Sequence, residues 1–232
     1  MDWNASVDLY CERTASGWLG EPANLFSNLA FFLAAVVLLR RYGRSPPEVP
    51  PIFRWLAALL FLIGVGSSLF HATARLWGEV ADVLFIAIFI YLFVASFLRY
   101  AAGLPWGLAL LGMPAYFGFE RLVKLPFAAG AFNGSVDYFP AAAGLLLMTL
   151  YLAALGRAQW RGFAAATAAF AVSLGLRSVD RAECARLPLG THWAWHVLNA
   201  YVLYRATTAL LDCAQARSAT SAARTASGAT TS

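Results

Sequence analysis

Gly190-Thr191-His192-Trp193-Ala194-Trp195-His196-Val197-Leu198-Asn199 opens the last apolar segment of the chain. On a helix, His192 and His196 lie on one face, a turn apart. Neutral imidazoles at that spacing can hold one metal ion. The chain has three histidines, and the third, His71, closes an earlier apolar segment in Ser67-Ser68-Leu69-Phe70-His71. Three histidines with a fourth position open to water or substrate describe a catalytic zinc site. The plainer alternative is three polar residues, each satisfied near a membrane surface. An i,i+4 pair plus the remaining histidine, all near segment ends, favours the metal.

Composition sets the surroundings of these histidines. Of 232 residues, 60% are hydrophobic and 12% charged, whereas soluble domains carry about 25% charged residues. The expected fold class is therefore all-α: a polytopic membrane protein built as a seven-transmembrane helix bundle. Apolar segments fall at about 24–40, 53–70, 80–98, 104–119, 136–155, 162–177 and 191–211. Spanning helices need about 20 residues, so the first, fourth and sixth are short. The runs are too long and too uniformly apolar for barrel strands. Residues 1–23 are read as a polar, acidic outer-face segment, 24–211 as the seven-helix domain and 212–232 as a disordered cytoplasmic tail rich in Ala, Ser, Thr and Arg. Met1-Asp2-Trp3-Asn4 lacks a basic start and an early apolar core, so no cleaved signal peptide is expected. The net charge of +5 sits in short loops. It speaks for membrane topology and not for nucleic-acid binding.

Arginines assign the sides. Arg40, Arg41, Arg44, Arg54, Arg99, Arg157, Arg161, Arg205 and Arg217 all fall at one end of the segments. The positive-inside rule makes that end cytoplasmic. The amino terminus is then outside and the carboxyl terminus inside. His71, which ends an outward segment, meets His192 and His196, which begin an inward one, at the outer level. Asp82, at the start of the third segment, arrives there too. Cys11 and Cys184 also lie on this oxidising side, where a disulfide persists; whether they pair or stay free is left open by the sequence. Cys213, near the inner face, is read as a free thiol.

Two further residues bear on chemistry. A carboxylate in an apolar segment costs roughly 2.5–3.5 kcal/mol on insertion scales, so Asp82 needs a partner or a task. It could orient or deprotonate a zinc-bound water, or cap the third helix. Ser67, one turn before His71, could donate to an oxyanion. Alternatively it is one of the small residues Gly64, Gly66, Ser67 and Ser68 that let helices pack closely.

These patterns resemble the alkaline ceramidase family. Asp8-Leu9-Tyr10-Cys11-Glu12-Arg13, followed by Glu21-Pro22-Ala23-Asn24 and Ser27-Asn28, is similar to its amino-terminal signature. Gly66-Ser67-Ser68-Leu69-Phe70-His71 with Asp82 is similar to its second motif. Asp180, Cys184 and His192-Trp193-Ala194-Trp195-His196 are similar to its third. The resemblance runs from about residue 8 to 211. The wider superfamily includes the adiponectin and progestin receptors, which share a seven-helix, zinc-containing core. The resemblance implies a zinc-dependent hydrolase that cleaves ceramide, or a related lipid amide, to a sphingoid base and a fatty acid. It implies zinc on His71, His192 and His196, with Ser67 and Asp82 catalytic, and a disulfide between Cys11 and Cys184. It also implies calcium on Glu12 and Glu21 with Asp8. Here the chain departs from the pattern. One extra residue separates Asp8 from the Cys-Glu pair, and Arg13 and Thr14 stand where the eukaryotic members have an asparagine. A structural alternative pairs Glu12 and Glu21 with Arg13, Arg181 or Arg186.

Other functions fit less well. A zinc-stabilised, receptor-like or lipid-binding protein without turnover would share the metal ligands, but Ser67 and Asp82 would have no task. A retinal protein needs a Schiff-base lysine in its last helix, and the one lysine, Lys124, lies in an outer loop. No broken-helix pair or inverted repeat suggests a transporter. A hydrolase of another acyl lipid could use the same metal site. The partners expected are a lipid substrate and the membrane, with no nucleic acid. The composition suggests a bacterial plasma membrane.

Overall fold

The computed structural model describes residues 2–14, 17–44 and 49–229. Helices dominate, and no strand forms among the described residues beyond one bridge between Ser6 and Arg75. Among the described residues, seven helical segments follow one another. α1 is Pro22–Ser27 continued past Asn28 by Leu29–Arg44, and α2 is Pro51–Thr73. α3 is Leu76–Phe97, closing in a π turn over Leu98–Ala102, and α4 is Trp106–Leu110 continued past Leu111 by Gly112–Lys124. A 3-10 turn, Ser135–Tyr138, leads into α5, Phe139–Ala154. α6 is Trp160–Val179, ending in the 3-10 turn Asp180–Glu183, and α7 is His192–Ala229. Five of these segments are long and apolar enough to cross a membrane: those containing α1, α2, α3, α5 and α6.

Local chemistry explains the boundaries. α1, α2 and α5 have proline in their first turn, where its missing N–H costs nothing. α2 stops at Ala74, whose left-handed backbone (φ 47°) lets its N–H return to the Phe70 carbonyl at 2.7 Å. The core runs along the bundle axis through Phe53, Leu56, Leu60, Phe163 and Leu210. The outer surface is apolar as well: Leu33, Trp55, Leu84, Leu147 and Val172 are at least half exposed. An apolar belt of this extent suits contact with hydrocarbon and not with water.

The stretch expected as a disordered tail, 212–232, is helical as far as Ala229. It is alanine-rich and lacks proline. Adding alanine to an existing helix needs no new nucleus. Asp212 pairs with Arg41 at 2.6 Å, and Arg217 donates to the Gly103 carbonyl at 3.2 Å. These contacts, together with Arg157 donating to the Ala101 carbonyl, gather arginines at the end of the bundle opposite the histidines.

The residues before α1 lie over the other end. The Val7 N–H donates to the Ala74 carbonyl at 2.9 Å, and the Leu76 N–H to the Ala5 carbonyl at 3.1 Å. The amino-terminal segment is thus fastened across the α2–α3 turn, beside His71.

Candidate active site

α2 delivers His71 in its last turn, and α7 delivers His192 and His196 in its first two. All three imidazoles are buried. One nitrogen from each lies within 4.8 Å of the others, so the trio could hold a metal ion. Among the described residues it is the one such group of three or more histidines, cysteines or carboxylates.

The surroundings fix each ring. The Glu21 carboxylate holds His71 Nδ1 at 2.5 Å. His71 Nε2 is buried and has no hydrogen-bond partner. His196 Nδ1 faces Ser27 Oγ at 2.7 Å and the Asn24 carbonyl at 3.1 Å. Its Nε2 is 3.4 Å from Ser67 Oγ. His192 Nδ1 is buried without a partner, and the Tyr10 ring stacks on its imidazole at 3.5 Å between centroids. Buried nitrogens without partners are costly. Histidine metal ligands commonly have an outer-shell acceptor on one nitrogen with the other left to the centre, and His71 and His196 have this arrangement. The residues therefore fit a metal ion.

Packing brings Ser67 and Asp82 to the same place. A Cβ on Gly66 would stand 2.8 Å from the Ala81 carbonyl oxygen. The absence of a side chain there lets α2 and α3 approach, which sets Ser67 beside Asp82. Gly66 thus has the close-packing role, and Ser67 faces the histidines. Asp82, Ser67, His192 and His196 form the polar head of a cavity. Its walls continue down the bundle as Phe89, Phe93, Leu145, Met148 and Ala206. Such a cavity suits a hydrocarbon chain with a polar group at one end.

The loop before α7 is braced by Asp180, which is fully buried. Its Oδ1 accepts the N–H groups of Thr191 and His192 at 2.6 and 3.0 Å, and its Oδ2 that of Cys11 at 3.1 Å. A carboxylate in this position caps the helix and complements its dipole. Cys11 and Cys184 are disulfide-bonded across the same junction, and Cys213 is a buried free thiol.

Asp8, Glu12 and Glu21 do not form a common cation cage. Both oxygens of Glu12 accept helix N–H groups, from Ala23 at 2.5 Å and Asn24 at 2.8 Å. Glu21 is engaged by Arg13, His71 and Asn24. Asp8 is exposed, and its backbone carbonyl accepts from Arg181. The Glu12 and Glu21 oxygens that calcium would need accept hydrogen bonds from protein donors here. Of the proposed pairings with arginine, Glu21 makes the one with Arg13. Burial alone would raise the Glu21 carboxyl, but hydrogen bonds from His71, Arg13 and Asn24 hold it below its ordinary value.

Arg177 is a residue that spacing did not single out. It is 7% exposed in α6, and no carboxylate pairs with it among the described residues. Its guanidinium donates to the Asn133 carbonyl and the Ser135 hydroxyl. It also lies over the Tyr138 and Trp195 rings at 5.0 and 5.7 Å. The available signal was a basic residue ending an otherwise uncharged apolar run. Tyr10, Asn24 and Ser27 gave no comparable signal, because their partners are distant in sequence.

Apolar helices around a buried, metal-capable histidine trio fit an integral membrane protein with a candidate metal site at one end of its bundle. The chain belongs to the Ceramidase family, whose sequence model matches residues 4–227. It is similar to the alkaline ceramidase of Drosophila melanogaster, with 35% identity over 93 residues. That stretch covers 38% of this chain and 31% of the relative.

Proposed function

We propose that this chain hydrolyses ceramide or a related lipid amide, giving a sphingoid base or other amine and a fatty acid, with zinc held by His71, His192 and His196. The reading rests on one observation: Ser67, Asp82, His192 and His196 line the head of an apolar cavity, and His71 completes the histidine trio beside them. Family membership supports an amide bond as the target. A bound zinc would polarise the amide carbonyl and make water more acidic.

The protein's own groups do the rest. Asp82 orients the attacking water and takes its proton as the new C–O bond forms. The Ser67 hydroxyl donates to the carbonyl oxygen as that oxygen gains charge. Asp82 then gives the proton to the amide nitrogen as the C–N bond breaks. The released amine and carboxylic acid balance one amide and one water. The apolar walls below the site hold the acyl chain. The arginines at the opposite end favour an orientation with the amino terminus and site at the outer face of a bacterial plasma membrane and the carboxyl terminus in the cytoplasm.

Elemental mass spectrometry of the purified protein should find about one zinc per chain, lost in His192→Ala and His196→Ala. Asp82→Ala should retain zinc and lose turnover of lipid amides. Ser67→Ala should retain zinc with kcat lowered on the order of 10²-fold. If zinc and turnover fall together in Ser67→Ala, Ser67 is structural. A folded wild type that takes up no zinc on reconstitution sinks the mechanism.

A further inference from the structure

A buried cluster of charge outside the reacting groups lies where the amino-terminal segment meets His71. Arg13 Nε meets Glu21 Oε1 at 2.5 Å, and its Nη2 donates to the His71 backbone carbonyl at 2.8 Å. The other Glu21 oxygen holds His71 Nδ1 at 2.5 Å and accepts from Asn24 Nδ2 at 3.1 Å. The Arg13 and Glu21 side chains are only 9% and 2% exposed. One guanidinium therefore touches both the carboxylate that orients His71 and the backbone that carries it.

A buried carboxylate facing a histidine needs positive charge nearby to remain ionised and fixed. A divalent cation could supply that charge only by taking carboxylate oxygens as ligands. Here those oxygens are already committed: one of Glu21 to Arg13 and the other to His71, and both of Glu12 to the first turn of α1. We propose that Arg13 is the built-in cation of this site: a positioning residue that locks Glu21 onto His71, so that the metal centre is assembled without calcium.

Arginine suits the task by shape as well as charge. Its planar fork can serve two acceptors at once, and it does not deprotonate. The lysine ammonium is a point donor on a flexible stem and would keep the charge without the fork. The inference rests on the reading of His71 as a metal ligand. It goes beyond that reading in naming what holds the ligand in place and in removing a second cation from the requirements.

The test is zinc affinity of the full-length protein, measured by competition with a chromophoric chelator, in buffer freed of calcium by a chelating resin before zinc is added and in millimolar calcium chloride. The wild type should give one affinity and one thermal midpoint under both conditions. Arg13→Gln should bind zinc roughly 10- to 100-fold more weakly, the usual cost of losing an outer-shell partner. Arg13→Lys should fall between the two, and it supplies the reading if Arg13→Gln fails to fold. Calcium that raises the wild-type midpoint, or that is needed for wild-type zinc binding, overturns the inference. So does undiminished zinc affinity in Arg13→Gln. A wild type with no zinc affinity overturns the metal reading itself, and with it any ligand for Arg13 to position.

Discussion

Gly190 shows how little room the site leaves. Its φ is +62°, and a Cβ there would stand 2.2 Å from Asp180 Oδ1 and 3.0 Å from the Cys11 Cβ. Asp180 is the group that receives the first N–H groups of α7, so a methyl at 190 would push on the start of the helix that carries two histidines. Holding a non-glycine residue in this backbone region costs about 1–3 kcal/mol before any collision is counted. Gly190→Ala should therefore lower the thermal midpoint in detergent and reduce zinc content with it. An unchanged midpoint would mean that Asp180 can move aside. At this scale the sequence was uneven. His71, His192, His196, Ser67 and Asp82 were legible because their types and helical spacing carry chemistry locally. Ser27 was opaque as a site residue, and Arg13 was legible only as one candidate partner for Glu21. Their partners His196 and His71 are 169 and 58 positions away, and no local pattern encodes such contacts.

Between elements, the disulfide decides whether the amino-terminal segment stays on the bundle. Cys11 and Cys184 are 173 residues apart, so the bridge closes most of the chain into one loop. Native disulfides of this kind contribute about 2–5 kcal/mol. Here the consequence is also local, since residues 10–13 supply the ring stacked on His192, the cap on α1 and the arginine at Glu21. Cys11→Ser should speed proteolysis within the first 20 residues and weaken zinc binding together. Faster proteolysis with full zinc affinity would show that the segment covers the centre without organising it. Element boundaries were legible only to within a few residues: the segment expected at 53–70 is Pro51–Thr73, and the one expected at 80–98 begins at Leu76. They were not legible past residue 211. There the composition resembles a disordered tail, yet alanine continues a helix already anchored through Asp212 and Arg217. The pairing of Gly66 with the Ala81 backbone was likewise hidden, because a small residue does not name its neighbour.

For the whole molecule, the question is which way the bundle faces. Arginine placement alone predicted that His71, His192, His196 and Asp82 share one level, and all four are found at one end. That agreement concerns the bundle and would hold in either orientation. The proposed orientation rests on Arg41, Arg157 and Arg217 at the opposite end, because basic residues near helix ends are retained on the cytoplasmic side. Single cysteines can separate the two cases. Leu187 is exposed in the loop before α7, and Ala158 is exposed between α5 and α6. In a Cys213→Ala background, Leu187→Cys should react with a membrane-impermeant maleimide on intact cells, and Ala158→Cys only after lysis. The reverse pattern would put the centre at the cytoplasmic face, where a reducing environment would oppose the Cys11–Cys184 bridge. A disulfide, three histidines and the amino-terminal segment at one end of the bundle thus support the proposed outward orientation, which the labelling pattern tests.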